Sequence, residues 1–170
     1  FNLACSLVFL LLFHTDWQPS FWFYAALAFW VGFGVEVAGV HTGLIFGTYQ
    51  YGSVLGFKVP QVPLIIGVNW LLLTYTCGSV CDSLRQAVWI KVLLSAGLMT
   101  LLDLLIEPVA IRLDFWTWAE ASVPLQNYLA WYILSALLLG VFYTLPFRKN
   151  NRLAWLMLAV QFLFLVISFI

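Results

Sequence analysis

The stretch FWFYAALAFWVGFGVEVAGVHTG, residues 21–43, decides the fold of this chain. Glu36 is the one Asp, Glu, Lys or Arg in this stretch, and about 20 predominantly apolar residues are enough for a helix to cross a bilayer. Lipid offers no hydrogen bonds to the backbone, so a spanning segment must be a helix or part of a closed barrel. A barrel strand alternates polar with apolar residues, which this stretch does not. It therefore predicts a transmembrane helix.

The same pattern recurs along the chain. Of its 170 residues, 64% are hydrophobic and 8% are charged, whereas about a quarter of the residues of a soluble domain are charged. Runs with few or no charges cover 1–13, 21–43, 62–81, 87–107, 125–146 and 153–170. They predict an all-α, polytopic transmembrane helical bundle of about six spans, forming a single domain over 1–170. Because the first and last runs are short for a span, we expect residues to be missing at the termini.

Several classes of function do not fit this composition. Seven basic residues balance seven acidic ones without forming the basic patch of a nucleic-acid-binding protein. The chain has neither the repeated histidines of a membrane di-iron enzyme nor a glycine-rich phosphate loop. Cys5, Cys77 and Cys81 form no CxxC pair and are interpreted as packing residues. We therefore expect no metal, no cofactor and no nucleic-acid partner.

Basic residues predict the orientation in the membrane. Five of the seven follow odd-numbered runs, and only Lys58 and Arg112 follow even-numbered ones. Since cytoplasmic loops are enriched in Lys and Arg, the connections after odd-numbered runs are predicted to be cytoplasmic. The protein is then expected to be a multi-pass protein of the cell membrane, that is, the inner or plasma membrane.

Two longer connections, 44–61 and 108–123, both follow even-numbered runs. Their aromatic side chains include Tyr49, Tyr51, Trp116 and Trp118. Amphipathic rings settle at the headgroup level, so both are predicted to be interfacial aromatic loops, with a hairpin or re-entrant lid as the alternative for the first. A Val-Pro-Leu sequence follows each loop, which is either a faint internal repeat or the common use of proline in the first turn of a helix.

Three acidic residues fall inside the apolar runs, namely Glu36, Asp103 and Glu107. An ionised side chain near the centre of a span costs about 3 kcal/mol on insertion scales, so such residues are functional candidates by default. Asp103 and Glu107 are four residues apart and share one helix face. For this pair, an interfacial position near Arg112 is the alternative interpretation.

Alternating helix direction brings the candidates together. The second and fourth runs point the same way and carry their acids toward their ends, whereas the third and fifth carry Asn69 and Asn127 near their beginnings. The acids and these two amides are therefore predicted to lie in one half of the membrane. His41 lies about 140° round the helix from Glu36, and it reaches the cluster only if the helix unwinds near Gly39.

Such a cluster suits acid–base chemistry in an apolar site. A carboxyl group buried in a low dielectric keeps its proton more readily, while a neighbouring carboxyl can remain ionised. Phe, Trp and Tyr make up 18% of the chain, and their faces, together with a carboxylate, can stabilise a transient carbocation. These groups could together protonate an alkene.

Three segments resemble a known family: EVAGVHTGLIFGTYQYGSVLGFKVPQVPLIIGVNW (36–70), LLDLLIEPVAIRLDFWTW (101–118) and VPLQNYLAWYI (123–133). They resemble the carotenoid biosynthesis membrane proteins that include the carotenoid 1,2-hydratases. The resemblance implies addition of water across the terminal 1,2 double bond of an acyclic or monocyclic carotenoid, taken from the lipid phase. The product is a tertiary alcohol, and no cofactor is needed.

From the residues, we predict that protonated Asp103 or Glu36 donates a proton to the alkene, and that Glu107 or the remaining acid activates water. Substrate-binding or supporting positions are predicted at His41, Tyr49, Tyr51, Asn69, Trp70, Trp116, Asn127 and Trp131. A lycopene-type cyclase would use the same acid chemistry with an internal alkene in place of water. A proton-coupled transporter or lipid-binding scaffold is the third interpretation. It requires a polar path through both membrane halves, and the half opposite the acids is almost purely apolar in sequence.

Overall fold

The computed structural model describes residues 3–169 and shows six helices and one small sheet in that range. The helices are α1 (Leu3–Leu12), α2 (Pro19–Thr42), α3 (Ile65–Asp82), α4 (Val88–Arg112), α5 (Leu125–Thr144) and α6 (Arg152–Phe169). The strands β1 (Tyr49–Tyr51) and β2 (Trp116–Trp118) form the sheet. The all-α prediction is confirmed. The outermost residues of the first and last predicted runs, 1–2 and 170, lie outside the described residues.

Four helices, α2 to α5, have the length and apolar composition of membrane spans. Two further apolar segments, Leu3–Leu12 in α1 and Arg152–Ile167 in α6, are shorter. The fourth predicted run ends at Glu107, whereas α4 continues through Pro108 to Arg112. Proline removes one helix hydrogen bond, but the next turn is closed by the backbone N–H of Leu113, which donates to the Val109 carbonyl at 3.0 Å.

The ends of α2 are set by residues with particular backbone angles. Pro19 lies in the first turn, where its fixed φ suits a helix and its missing N–H has no helical partner to lose. Gly43 ends the helix in the left-handed conformation, with a φ of 66°, and its N–H donates to the Gly39 carbonyl at 2.8 Å. The helix therefore stays continuous past Glu36 to Thr42, which fixes the side on which each residue of its last turns lies.

The centre of the bundle is occupied by α3. Every residue from 70 to 81 is buried, and the helix packs against α1, α2, α4, α5 and α6. Close approach is possible because glycine stands at contact points: a Cβ on Gly32 would lie 2.3 Å from Cβ of Trp70, and one on Gly78 would lie 2.7 Å from Cε1 of Phe142. Small residues at helix contacts are typical of membrane proteins, where helices associate by close packing.

The two aromatic loops pair with each other. The strands β1 and β2 are antiparallel, with Tyr49 opposite Trp118 and Tyr51 opposite Trp116. Since successive side chains of a strand point to opposite faces, both tyrosines and both tryptophans point to the same side of the sheet. We call this sheet the lid, because it covers one end of the bundle. The end of the first loop also folds back on the residues that follow it, since Lys58 and Pro63 form an antiparallel bridge.

The segments α2–β1–α3 and α4–β2–α5 repeat one arrangement. In each, a helix with an acid in its last turns leads into a strand, and a Val-Pro-Leu sequence leads into the next helix. Trp70 follows Pro63 by seven residues, as Trp131 follows Pro124. The two indoles stack with centroids 4.4 Å apart and an interplanar angle of 17°. The faint repeat in the sequence therefore corresponds to a repeated structure, whose halves meet at these rings.

A buried histidine holds the opposite end of the bundle. His14, between α1 and α2, is 4% exposed, and its ring stacks on Phe21 with centroids 3.8 Å apart. In the neutral tautomer that satisfies both contacts, Nε2–H donates to the Asp16 carbonyl at 2.6 Å and Nδ1 accepts from the Tyr75 hydroxyl at 2.7 Å. Burial lowers the pKa of His14, because the charged imidazolium loses its hydration.

Acidification is expected to destabilise this end of the bundle. Because folding lowers the pKa of His14 from 6.5, the unfolded chain binds more protons than the folded one as the pH falls through that value. The free energy of unfolding in detergent micelles should therefore decrease there. In His14→Gln this part of the pH dependence should disappear, whereas His41→Gln, a change at an exposed histidine, should keep it. An unchanged pH dependence in His14→Gln would contradict the prediction.

Candidate active site

Glu36 lies among neutral hydrogen-bond donors. It is 3% exposed, near the end of α2. Its Oε2 accepts from the hydroxyl groups of Tyr49 at 2.5 Å and Tyr51 at 2.8 Å. Its Oε1 accepts from the indole N–H of Trp70 at 3.1 Å. Both carboxyl oxygens are thereby engaged, one by the lid and the other by α3.

Asp103 and Glu107 form a second group on α4. They are 1% and 3% exposed. The side-chain amide of Asn127, on α5, donates to Asp103 Oδ2 at 2.8 Å and, at a longer distance of 3.4 Å, to Glu107 Oε1. Two carboxyl groups one helical turn apart thus share one amide. Both acids are buried within the protein, as Glu36 is.

The lid supplies the remaining donors to Glu107. The indole N–H groups of Trp116 and Trp118 both donate to Glu107 Oε2, each at 2.9 Å. On the other strand, burial and then the negative charge of Glu36 raise the pKa of Tyr49 and Tyr51, so both phenols stay protonated at neutral pH. Each strand of the lid therefore presents two donors to one acid: phenols from β1 to Glu36 and indoles from β2 to Glu107.

Two predicted positions lie outside this cluster. His41 is exposed, because α2 stays helical through Gly39 to Thr42 and does not unwind as its participation requires. Asn69 lines a neighbouring cavity, since it precedes Trp70 by one residue and faces about 100° away from it. The other nine predicted site residues lie in the cluster or, for Trp131, stack directly on one of its members.

A cavity of about 140 Å³ adjoins the cluster. Its wall is formed chiefly by apolar side chains of α3, α4 and α6, among them Ile66, Leu73, Leu102, Ile106 and Leu165. Trp116 lines this cavity and donates its N–H to Glu107, so the cavity and the acids meet at one side chain. An apolar chain in the cavity would lie beside the helix that carries Asp103 and Glu107.

Comparison with known proteins establishes the family. The family model described as carotenoid biosynthesis protein matches residues 2–170. The chain belongs to this family. This carotenoid biosynthesis protein is also similar to the bisanhydrobacterioruberin hydratase of Haloarcula japonica, with 30% identity over 112 residues. The match covers 58% of the chain and 36% of the relative, so it spans about a third of the relative's length. No solved structure matches the chain. The resemblance seen in the sequence is thereby confirmed.

One member of the cluster in this carotenoid biosynthesis protein was not predicted from sequence. Trp118 donates to Glu107 as Trp116 does, but it was absent from the predicted site residues. The signal was the alternation Trp116-Thr117-Trp118, which places both indoles on one face once the segment is assigned to a strand. As a loop, the same segment gave no reason to pair the two rings.

The half of the bundle opposite the acids is less apolar than predicted. Buried hydroxyl groups occur there at Thr74, Thr76, Ser79 and Ser95. Thr74 and Ser95 donate at 2.7 Å to the carbonyl groups of Trp70 and Lys91, one turn back in their own helices. Bonds of this kind satisfy a hydroxyl within its helix, which favours a structural role for these two residues over a path for protons.

Proposed function

We propose that this carotenoid biosynthesis protein is a cofactor-independent membrane hydratase, which adds water across the terminal 1,2 double bond of an acyclic carotenoid end. The observation that carries the proposal is the pair Asp103 and Glu107, two buried carboxyl groups joined by one amide beside an apolar cavity. Membership of the family supports a carotenoid as the substrate. The hydratase name of the Haloarcula japonica relative supports the class of reaction.

Asp103 is the proton donor in this proposal. Among residues 3–169, its carboxyl group receives one hydrogen bond, whereas those of Glu36 and Glu107 each receive three. Neutral donors stabilise the ionised form of a carboxyl group, and two carboxyl groups this close do not readily ionise together. Asp103 has the carboxyl group with the fewest hydrogen-bond donors, so it keeps the one proton that it shares with Glu107. Of the two donors left open by the sequence, the geometry favours Asp103 over Glu36.

The reaction begins when Asp103 transfers its proton to the CH carbon of the terminal double bond. The π electrons form the new C–H bond and leave a cation on the carbon that bears two methyl groups. A water oxygen bonds to that carbon and gives one of its protons to Glu107. Asp103 is then ionised and Glu107 protonated. Transfer of this proton from Glu107 to Asp103 restores the starting state.

Glu107 presents one oxygen for this step. Both indole N–H groups of the lid donate to Oε2, whereas Oε1 has only the long contact of 3.4 Å with Asn127. Oε1 is therefore the atom with free capacity to accept a proton from water. The two indoles hold the carboxylate in place and leave that atom directed toward Asn127, which also binds Asp103.

Glu36 and the stacked indoles act on the cation rather than on the proton. The two carboxyl oxygens of Glu36 together accept three hydrogen bonds, and in this proposal Glu36 supplies fixed negative charge to the site. Preorganised charge in a dry site stabilises a developing cation. The faces of Trp70 and Trp131 add the attraction of an aromatic ring for positive charge. These three residues therefore stabilise the intermediate electrostatically.

The proposed substrates are water and an acyclic or monocyclic carotenoid that enters laterally from the lipid. The cavity between α3, α4 and α6 provides an apolar position for its end. The four long apolar helices are compatible with residence in a membrane. We place the protein in the inner or plasma membrane, as one multi-pass domain.

Expression in cells that accumulate lycopene tests this function. We expect pigments heavier than lycopene by one water per reacted end, with the new oxygen derived from isotope-labelled water. An oxygenase would instead take its oxygen from molecular oxygen. A cyclase would give a ring-containing isomer of unchanged mass. Either of those results, or unreacted lycopene in cells whose membranes contain the folded protein, would refute the hydratase proposal.

A further inference from the structure

The cavity between α3, α4 and α6 contains a buried amide that the proposed reaction does not use. Gln161, on α6, lines the cavity and is 8% exposed. Its Oε1 is buried without a hydrogen-bond partner among the described residues. Asn69, on α3, lines the same cavity. The remaining wall is apolar apart from the indole N–H of Trp116, which is already donated to Glu107.

An unpartnered amide oxygen in an apolar site is unfavourable, because it has lost its bonds to water and gained none in return. Buried polar groups in native proteins are nearly always bonded, so an exception indicates a missing partner. That partner must donate a hydrogen bond, since Oε1 can only accept. The donor must also belong to a mainly apolar molecule, since the rest of the lining is apolar and gives few hydrogen bonds to a polar ligand.

We propose that this cavity binds the alcohol end of an isoprenoid chain, whose hydroxyl donates to Gln161 Oε1 and is within the reach of Asn69. The volume of about 140 Å³ matches a benzene-sized guest, so the cavity takes the end of a chain rather than a whole polyene. The isoprenoid nature of the ligand rests on the proposed function, in which the product is such a tertiary alcohol. The hydroxyl site itself rests on the cavity and on Gln161.

The probe for this site is 2,6-dimethyloctan-2-ol, a branched tertiary alcohol that resembles one isoprenoid end. The radiolabelled compound is bound to the full chain in phosphatidylcholine nanodiscs, and empty nanodiscs give the background. Three unlabelled competitors are compared: the same alcohol, the hydrocarbon 2,6-dimethyloctane and the linear decan-1-ol. We expect the branched alcohol to compete roughly tenfold better than the hydrocarbon, the size of effect that one buried hydrogen bond gives.

The variant Gln161→Leu should remove this preference while keeping the binding of the hydrocarbon. Gln86→Leu, a change at an exposed glutamine, serves as the control and should keep the preference. If Gln161→Leu fails to fold, Gln161→Met, which keeps the length of the side chain without its amide, provides the same comparison. Equal competition by alcohol and hydrocarbon in the unchanged protein, or a preference that survives loss of the amide, would overturn the site.

The comparison with decan-1-ol tests the class of ligand. If decan-1-ol competes as well as the branched alcohol, the isoprenoid assignment is overturned and the cavity is a site for linear alcohols. Binding is measured without turnover, so its outcome is separate from the test of the reaction. Failure to hydrate lycopene with an intact alcohol preference would refute the proposed function, whereas hydration without that preference would refute the alcohol site.

Discussion

Asp103→Asn is expected to lower the rate of alcohol formation by about 10²- to 10⁴-fold, the usual contribution of a positioned general acid. Asparagine has nearly the shape of aspartic acid and stays within reach of the Asn127 side chain, but it has no proton that it can transfer to an alkene. The loss should therefore appear in the rate of conversion and not in the amount of folded protein. Initial rates in isolated membranes, divided by the protein content, measure it.

The control for this variant is Asp114→Asn. Asp114 is an exposed acid in the connection between α4 and β2, with a φ of 55° that asparagine tolerates well. The variant Asp114→Asn makes the same chemical change outside the cluster and should keep the full rate. A full rate in Asp103→Asn would show that Asp103 is not the donor. A full rate in Asp103→Asn together with loss of activity in Glu36→Gln would assign the donor role to Glu36 instead.

Gly32→Ala is expected to lower the free energy of unfolding by about 1–3 kcal/mol, as overpacking of a well-packed core does. The new Cβ would lie 2.3 Å from both Cβ and Cγ of Trp70. The Cβ of Trp70 is fixed by the backbone, so no rotation of the side chain relieves this contact and α2 and α3 must move apart. Because Trp70 also donates to Glu36 at 3.1 Å, the same displacement should reduce the rate of the proposed reaction.

Gly34→Ala provides the matched control two residues along the same helix. A Cβ at Gly34 would meet nothing within 4 Å, and alanine favours a helix over glycine by up to about 1 kcal/mol. This variant should therefore be neutral or slightly more stable. Denaturation in detergent micelles, followed by helical circular dichroism, compares the two proteins. Equal effects at both positions would mean that the contact between Gly32 and Trp70 does not limit the packing of α2 against α3.

The helices and the grouping of the acids were predictable from sequence because both follow from the membrane. An apolar run that is long enough to cross the bilayer and lacks the alternation of a barrel strand has to be a helix. Helices that alternate in direction then place Glu36, Asp103, Glu107 and Asn127 in one half. The position of His41 outside the cluster has a local cause: whether a helix unwinds near Gly39 depends on its cap, and Gly43 closes α2 only after Thr42.

The lid was not predictable, because the paired residues of its two strands are more than sixty positions apart in the chain. Within each loop the aromatic residues fit a headgroup position equally well, and no local pattern reveals that Tyr49 faces Trp118. Gln161 escaped notice for a related reason. A single amide in the last apolar run looks like any polar residue in a membrane helix, and only the packing of α6 against α3 and α4 places it in a cavity.

The lid combines a repeated backbone with unlike side chains, and this gives the two halves of the site different capacities for moving protons. A phenol both gives and accepts hydrogen bonds, whereas an indole only gives them. In the proposed reaction, a proton that reaches Glu107 cannot be passed on to Trp116 or Trp118, because neither indole accepts one. The tryptophan strand would then leave return to Asp103 as the route for that proton and keep it from spreading into the rest of the bundle.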